Sequence, residues 1–113
     1  MTFEDFGARV DSLLRPYGVQ EEAEHGTHAS RTWKTPKGES AAIITYDPSD
    51  LHYPVKLGFS VLHEGGTWRA VGLGVPQMPL PLGLNDYGAQ TAALETLKYF
   101  GIDNDLTITE SQD

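Results

Sequence analysis

The chain has 113 residues, no cysteine, and 16 acidic against 8 basic residues, which gives a formal net charge of −8. This length indicates one domain with a core of its own, and the absence of cysteine excludes disulfides and cysteine-based metal or nucleophilic chemistry. The excess of acids disfavours direct binding to nucleic acid or to anionic membranes, because both are bound by clustered Lys and Arg. The first residues lack the pattern of a signal peptide and no apolar run is long enough to cross a bilayer, so we expect a cytoplasmic protein.

The first predicted element is a helix that starts directly after Thr2. Apolar residues recur at the spacing of one helical face along residues 3–17. Thr2 is a suitable N-cap, and Asp5 stands three residues later, close to a capping-box pattern. Pro16 and Gly18 then predict the end of the helix.

Two antiparallel hairpins are predicted next. Strand-like segments flank residues 36–38, a proline–lysine–glycine sequence typical of a turn with a left-handed glycine. A three-residue turn at this point predicts that Trp33 lies opposite Ala41 and that Arg31 lies opposite Ile43.

The second hairpin is predicted to turn at residues 65–66, a glycine pair suited to a two-residue type I′ turn. That turn pairs Phe59 with Gly72 and Val61 with Ala70, so large residues on one face meet small neighbours. An aromatic residue opposite a glycine can offset the weakness that glycine brings to a strand.

A second helix is predicted to begin at Asn85 or Asp86 and to run to about Phe100, with Gly101 in the C′ position. Residues 106–109 are predicted to add a short edge strand, and the last few residues are expected to be frayed. The whole chain is therefore predicted to be one α+β domain, an antiparallel sheet of about four strands flanked by an N-terminal and a C-terminal helix.

The segment from residue 75 to residue 84, VPQMPLPLGL, is unusual for a connection because it contains three prolines and no charge. One interpretation is structural: the prolines hold an extended crossover whose Met and Leu side chains cover the sheet. The other is that part of it is an exposed docking patch, since prolines lower the entropy lost on binding. Its candidate partner-binding residues are Met78, Leu80, Leu82 and Leu84.

The function predicted from the sequence is a non-enzymatic, small acidic protein-binding module: an adaptor, an inhibitor or an immunity-type blocker of another protein. Arg31, Trp33 and Tyr46 are further candidates for partner binding, although a core position is favoured for Trp33. The partner is expected to be another protein, with a homodimer as the alternative. No cofactor, metal or catalytic residue is predicted.

Two other functions are weighed. The first is a small enzyme or ligand-binding domain in which His63 or His52 acts in a pocket near the proline-rich segment. The second is an acidic nucleic-acid mimic built from Glu21, Glu22, Glu24, Asp103, Asp105 and Glu110. A metal site is considered and disfavoured because the histidine spacing alone is a weak signal; its ligands would be Glu21, Glu22, Glu24, His25 and His28.

Overall fold

The computed structural model describes residues 1–22, 29–35, 40–62, 68–71 and 79–108. They form an α+β fold with an N-terminal and a C-terminal helix flanking an antiparallel sheet, as predicted, and both helices pack against one face of that sheet. The helices are α1 (Phe3–Leu14) and α2 (Asp86–Phe100). The strands are β1 (Gln20–Glu21), β2 (Ser30–Lys34), β3 (Ser40–Tyr46), β4 (Val55–Leu62), β5 (Trp68–Val71) and β6 (Leu80–Leu82).

The sheet has the strand order β1-β2-β3-β4-β5, and β6 also pairs with β4. β5 lies opposite residues 59–62 of β4, and β6 lies opposite residues 55–57, so the two short strands share one edge of β4. The sequence prediction has about four strands and treats β1 and β6 as connections. Conversely, residues 106–108 of the predicted edge strand are not in a strand, and Thr109 lies outside the described residues.

Both hairpins are present, but each pairing is one residue away from the prediction. Trp33 lies opposite Ala42, not Ala41, and Arg31 opposite Ile44, not Ile43. The second hairpin is shifted by one residue in the same way.

There, Phe59 lies opposite Val71, not Gly72, and Val61 lies opposite Arg69, not Ala70. Five residues separate the paired ends of β4 and β5, where the prediction allowed only two for the turn. A shift of one residue exchanges the two faces of a strand, so the predicted pairing of large with small residues is wrong.

The predicted helix boundaries are confirmed. Thr2 and Asp5 form a reciprocal capping box at the start of α1, and a 3₁₀ turn of residues 15–17 leads to Gly18, whose φ of 82° only glycine adopts readily. Asn85 caps α2 by accepting a hydrogen bond from the Gly88 backbone N–H at 2.7 Å.

Gly101 ends α2 with a φ of 69°, and the Ile102 N–H donates to the carbonyl oxygen of Leu97 at 3.0 Å. This is the bond pattern of a glycine C-cap, and the side chain of Ile102 packs against the core, as often accompanies such a cap. Within the described residues, the helices are too short and too polar to span a bilayer.

Three rows of cross-strand partners line the helix-covered face of the sheet, and a residue of α1 or α2 packs against each row. Phe3 stacks on Tyr46 with ring centroids 5.3 Å apart. Gly7 lies against the side chain of Arg31, which is one row further along. The row of Trp33, Ala42 and Phe59 carries Asp11 of α1 and Tyr99 of α2, whose ring stacks on Phe59 at 4.2 Å.

Consequently α1 begins over the end of the sheet where β3 turns into β4. β6 also ends there, because Leu82 pairs with Val55. α2 starts four residues beyond Leu82, at Asp86, after its Asn85 cap. We call this part of the molecule the loop end and define it as residues 1–5, 46–55 and 82–87.

Candidate functional site

The structure divides the predicted partner-binding residues into two groups. Tyr46, Leu82 and Leu84 lie at the loop end, with Leu80 one pair further along β6. Arg31 and Trp33 lie beneath α1, near the other edge of the sheet. Met78 lies outside the described residues.

The described part of the proline-rich segment is largely structural in position. Residues 80–82 form β6, and Leu82 is buried in the core with 6% of its surface exposed. Leu80 and Leu84 are half-buried and pack against the same core. The exposed side chains of this stretch are those of Pro79 and Pro81.

Pro81 lies opposite Lys56 of β4 and has no N–H to donate. Proline within a sheet is confined to edge strands, with the side that lacks the N–H facing solvent. Pro79, two residues earlier, removes a second donor from the same edge because alternate residues of a strand direct their N–H groups the same way. We therefore expect contacts at this edge to be made by side chains and not by addition of another strand.

The loop end carries the exposed large apolar side chains that the described residues hold. Leu51 is 88% exposed, Tyr53 54%, Met1 52% and Tyr87 46%. Leu51 and Tyr53 lie in the connection between β3 and β4, Met1 precedes α1, and Tyr87 is in the first turn of α2. Side chains from three separate parts of the sequence thus gather at one end of the fold.

The same end is acidic. Its carboxylates are those of Glu4, Asp5, Asp47, Asp50 and Asp86. Two basic side chains reach them: Arg9 Nε lies 2.9 Å from Asp86 Oδ1, and Lys56 Nζ lies 2.7 Å from Asp50 Oδ2. Acids therefore remain in excess around the exposed tyrosines and Leu51.

Asp50 organises the loop. Its Oδ1 accepts hydrogen bonds from the backbone N–H groups of His52, at 3.2 Å, and Tyr53, at 2.9 Å. The Lys56 ammonium and then the Tyr53 N–H lower the pKa of Asp50 to about 2. The Ser49 hydroxyl and N–H likewise lower the pKa of Asp47. The loop that presents Leu51 and Tyr53 is held by charged carboxylates.

We expect the Asp50 carboxyl to titrate at about pH 2, measured by carboxyl ¹³C NMR. Because this folded-state pKa is below the unfolded value, the stabilisation from Asp50 is present above about pH 4 and is lost as the pH falls through about 2. Lys56→Met should raise the midpoint without restoring it fully, since the Tyr53 N–H remains. Lys98→Met, which removes a pair with Glu95 on α2, should leave it unchanged; an equal effect of both variants would contradict the assignment.

The second group of predicted residues surrounds a buried carboxylate. Trp33 is 1% exposed, and its Nε1–H donates to Asp11 Oδ1 at 3.1 Å. Asp11 Oδ2 accepts from an Nη2–H of Arg15, one helical turn later. Arg31 lies over the Trp33 ring, with the guanidinium carbon 5.6 Å from the ring centroid. A core position for Trp33 therefore fits the interpretation that the sequence favoured.

Arg31 is fixed by Glu21 on β1. Nε donates to Oε2 at 2.8 Å and Nη2 to Oε1 at 2.6 Å, while Nη1 donates to the carbonyl oxygen of Glu4 at 3.2 Å. The hydrogen bonds to Glu21 raise the pKa of Arg31, against the opposing effect of burial. All three guanidinium nitrogens are thus engaged, and this clamp ties β1, β2 and α1 together.

Two adjoining cavities open beside this cluster, and we call them together the Asp11 cleft. The larger, of about 570 Å³, is lined by Ala8, Asp11, Ser12, Arg15, Pro16 and Arg31. The smaller, of about 310 Å³, is lined by Asp11, Arg15, Gln20 and Glu21. The cleft lies at the β1 edge of the sheet, whereas β6, the described strand of the proline-rich segment, pairs with β4 towards the other edge.

Sequence reasoning missed Asp11 and Arg15, and it considered Glu21 only as an acid of the nucleic-acid mimic or of the disfavoured metal site. One signal was available: Gly7 interrupts a strongly patterned helix, where glycine is costly. A Cβ on Gly7 would lie 2.2 Å from Arg31 Nη1, so the glycine makes room for the guanidinium. An unexplained glycine inside a helix therefore indicates close approach of another element.

The remaining candidate residues are dispersed. His52 is exposed, with its ring 6.5 Å from that of Tyr53, and it lines neither cavity of the Asp11 cleft; His63 lies outside the described residues. Among the acids of the proposed mimic, Glu21 and Glu22 pair with Arg31 and Lys34.

Asp105 accepts a hydrogen bond from the Tyr17 hydroxyl at 2.6 Å, which lowers the pKa of Asp105 and raises that of Tyr17. Glu24, His25, His28 and Glu110 lie outside the described residues. The residues that are described contain no group of three or more possible ligands placed to hold a metal ion.

No protein-family model, curated protein or solved structure matches this chain. Its function is therefore argued from the loop end and the Asp11 cleft alone.

Proposed function

We propose that this protein is a non-enzymatic, acidic protein-binding module, an adaptor, an inhibitor or a blocker, that contacts a basic partner protein through its loop end. The observation that carries the proposal is that Met1, Leu51, Tyr53 and Tyr87 all lie at this end. Exposed apolar side chains gathered on one part of a small protein often mark an interface. Tyrosine is also enriched among the residues that dominate binding energy.

The charge of the loop end indicates the chemistry of the partner. Five carboxylates surround the apolar side chains, and the chain as a whole has a net charge of −8. Such a surface attracts a patch of Lys and Arg and steers its approach, whereas a second copy of the same acidic surface would be repelled. The absence of cysteine supports action in a reducing compartment such as the cytoplasm.

The residues predicted from the sequence have different parts in this proposal. Tyr46 and Leu84 border the loop end and contribute their half-exposed surfaces. Leu82 supports that surface from within the core, and Leu80 lies at its margin. Met78 remains a candidate contact, while Arg31 and Trp33 belong to the Asp11 cleft.

The proposal is tested by capturing proteins from a lysate of the source organism with the wild type and with Leu51→Asp. The captured partner is then purified and its affinity measured by calorimetry. Leu51 is almost fully exposed, so the variant should fold normally and weaken binding by at least tenfold, because it replaces an apolar contact with a hydrated carboxylate that must lose water on binding. Tyr53→Ala and Tyr87→Ala should weaken binding without adding charge.

Thr107→Asp is the matched control because Thr107 is exposed, lies after α2, and gains the same single charge. It should bind as the wild type does. Affinity should also fall as the salt concentration rises, since exposed charges are screened. Equal loss in the Thr107 control, unchanged binding by Leu51→Asp, or self-association through the loop end in sedimentation would contradict the proposal.

A further inference from the structure

The ion pair inside the Asp11 cleft is unequal. The side chain of Asp11 is 12% exposed and is held by the Trp33 indole, whereas the side chain of Arg15 is 76% exposed. Among the described residues, Arg15 has Asp11 as its hydrogen-bond partner. Because most of its side chain is already in solvent, the guanidinium of Arg15 becomes fully hydrated when it turns outward. Arg15 can therefore turn outward, while Asp11 is held in place by the Trp33 indole and then needs another cation.

We propose that the Asp11 cleft binds the guanidinium group of an arginine from another molecule, in the place that Arg15 occupies in the free protein. Arg15 shows that a guanidinium fits the carboxylate at this point. The cavity of about 570 Å³ is within the size range of small-ligand pockets, roughly 300 to 1,000 Å³. Its Ala8 and Pro16 lining offers apolar surface for the aliphatic stem of an arginine.

The charges favour a cation over an anion. With Arg15 in place, Asp11 and Glu21 balance the two arginines; once Arg15 turns outward, the lining carries an excess of negative charge. Arg31 is less available to an anion, because its charge is paired with Glu21 and three of its five N–H groups already donate to Glu21 and Glu4. The net charge of −8 further raises the local concentration of cations.

The experiment is a titration of the full chain with methylguanidinium, followed by the NMR resonance of the Trp33 indole N–H, which contacts Asp11. We expect a saturable shift in the wild type. Arg15→Ala should tighten binding by about twofold or more, because the competing side chain is gone, and Asp11→Asn should weaken it at least tenfold. Retention of the Trp33 resonance and of the melting temperature in Asp11→Asn confirms that this variant is folded.

The direction of the effect of Arg15→Ala decides whether the cleft binds a cation or an anion. If Arg15 served an anion, Arg15→Ala would abolish a saturable response to inorganic phosphate that the wild type shows, and that result overturns the proposal. So does an unsaturated response to methylguanidinium in every variant, or equal binding by Asp11→Asn. Arg9→Ala is the control, since it removes an arginine of the same helix that pairs with Asp86 outside the cleft.

Free arginine and arginine within a peptide present the same group, and two further probes separate them. N-acetyl-arginine-amide lacks both the α-carboxylate and the α-ammonium of free arginine, and it should bind more tightly than free arginine if the cleft takes arginine within a peptide. The reverse order would assign the cleft to the free amino acid. None of these probes requires a partner protein at the loop end, so this inference and the proposed function can fail independently.

Discussion

Gly88→Ala is expected to lower the free energy of unfolding by about 2–3 kcal/mol, as overpacking of a close contact does. A Cβ at this position would lie 2.2 Å from the carbonyl oxygen of Gly83 and 3.2 Å from Cε2 of Phe6. The first of these is a backbone atom just after β6, so it cannot turn aside as a side chain would. To accept the methyl group, the start of α2 must move away from β6 and from α1.

Gly58→Ala is the matched control because a Cβ at Gly58 would meet nothing within 4 Å. Glycine weakens strands, so this variant should be neutral or more stable by roughly 0.5–1 kcal/mol. Both variants are measured by urea unfolding, and the dependence on urea should keep the same slope. Equal stability of Gly88→Ala and the wild type would mean that α2 does not approach β6 this closely.

The helices could be predicted from the sequence because their signals are local. The Thr2–Asp5 capping box, the Asn85 cap and the Gly101 end each lie within one helical turn of the boundary that they set. The fold class followed from the order of the elements, since strands gathered between two helices favour an α+β arrangement. Gly88 itself carries no such signal, because its close contacts are made with other elements.

The sheet could be predicted less completely because register and short strands depend on distant residues. A glycine pair suggests a turn but does not fix its length, and one residue more or less exchanges the faces of the strand. β6 pairs through a segment that contains Pro81, which argues against a strand in any sequence-based prediction. It is a strand because β5 pairs with β4 only as far as Phe59. Residues 55–57 on the same edge of β4 are therefore open to pair with β6.

The candidate sites were the least predictable part. The apolar side chains of the loop end come from the start of α1, the β3–β4 connection and α2, and only the packing of these elements brings them to one end. In the sequence Asp11 is an ordinary polar residue of α1. Its burial follows only from the packing of Trp33, on β2, whose indole N–H donates to it. The sequence did single out Arg31 and Trp33 as partner-binding candidates, with a core position favoured for Trp33, but it did not indicate the cluster that they form with Asp11.

Trp33→Ala is expected to lower the free energy of unfolding by about 3–5 kcal/mol, the usual cost of removing a large aromatic residue from a core. Among the described residues, Trp33 is the largest fully buried side chain, and it joins the sheet to α1 through Asp11. A loss of partner binding in this variant would therefore report unfolding and not a lost contact. The role of its N–H has to be tested with a variant that keeps a ring.

Trp33→Phe keeps an aromatic ring but leaves Asp11 without its indole donor, so we expect a loss of about 1–3 kcal/mol. Asp11→Ala should cost a similar amount because it leaves the indole N–H buried and unpaired. The double variant should cost clearly less than the two losses together, since neither polar group is then left without its partner. Urea unfolding of the four proteins measures this coupling; simple additivity would mean that the Trp33–Asp11 hydrogen bond does not hold α1 on the sheet.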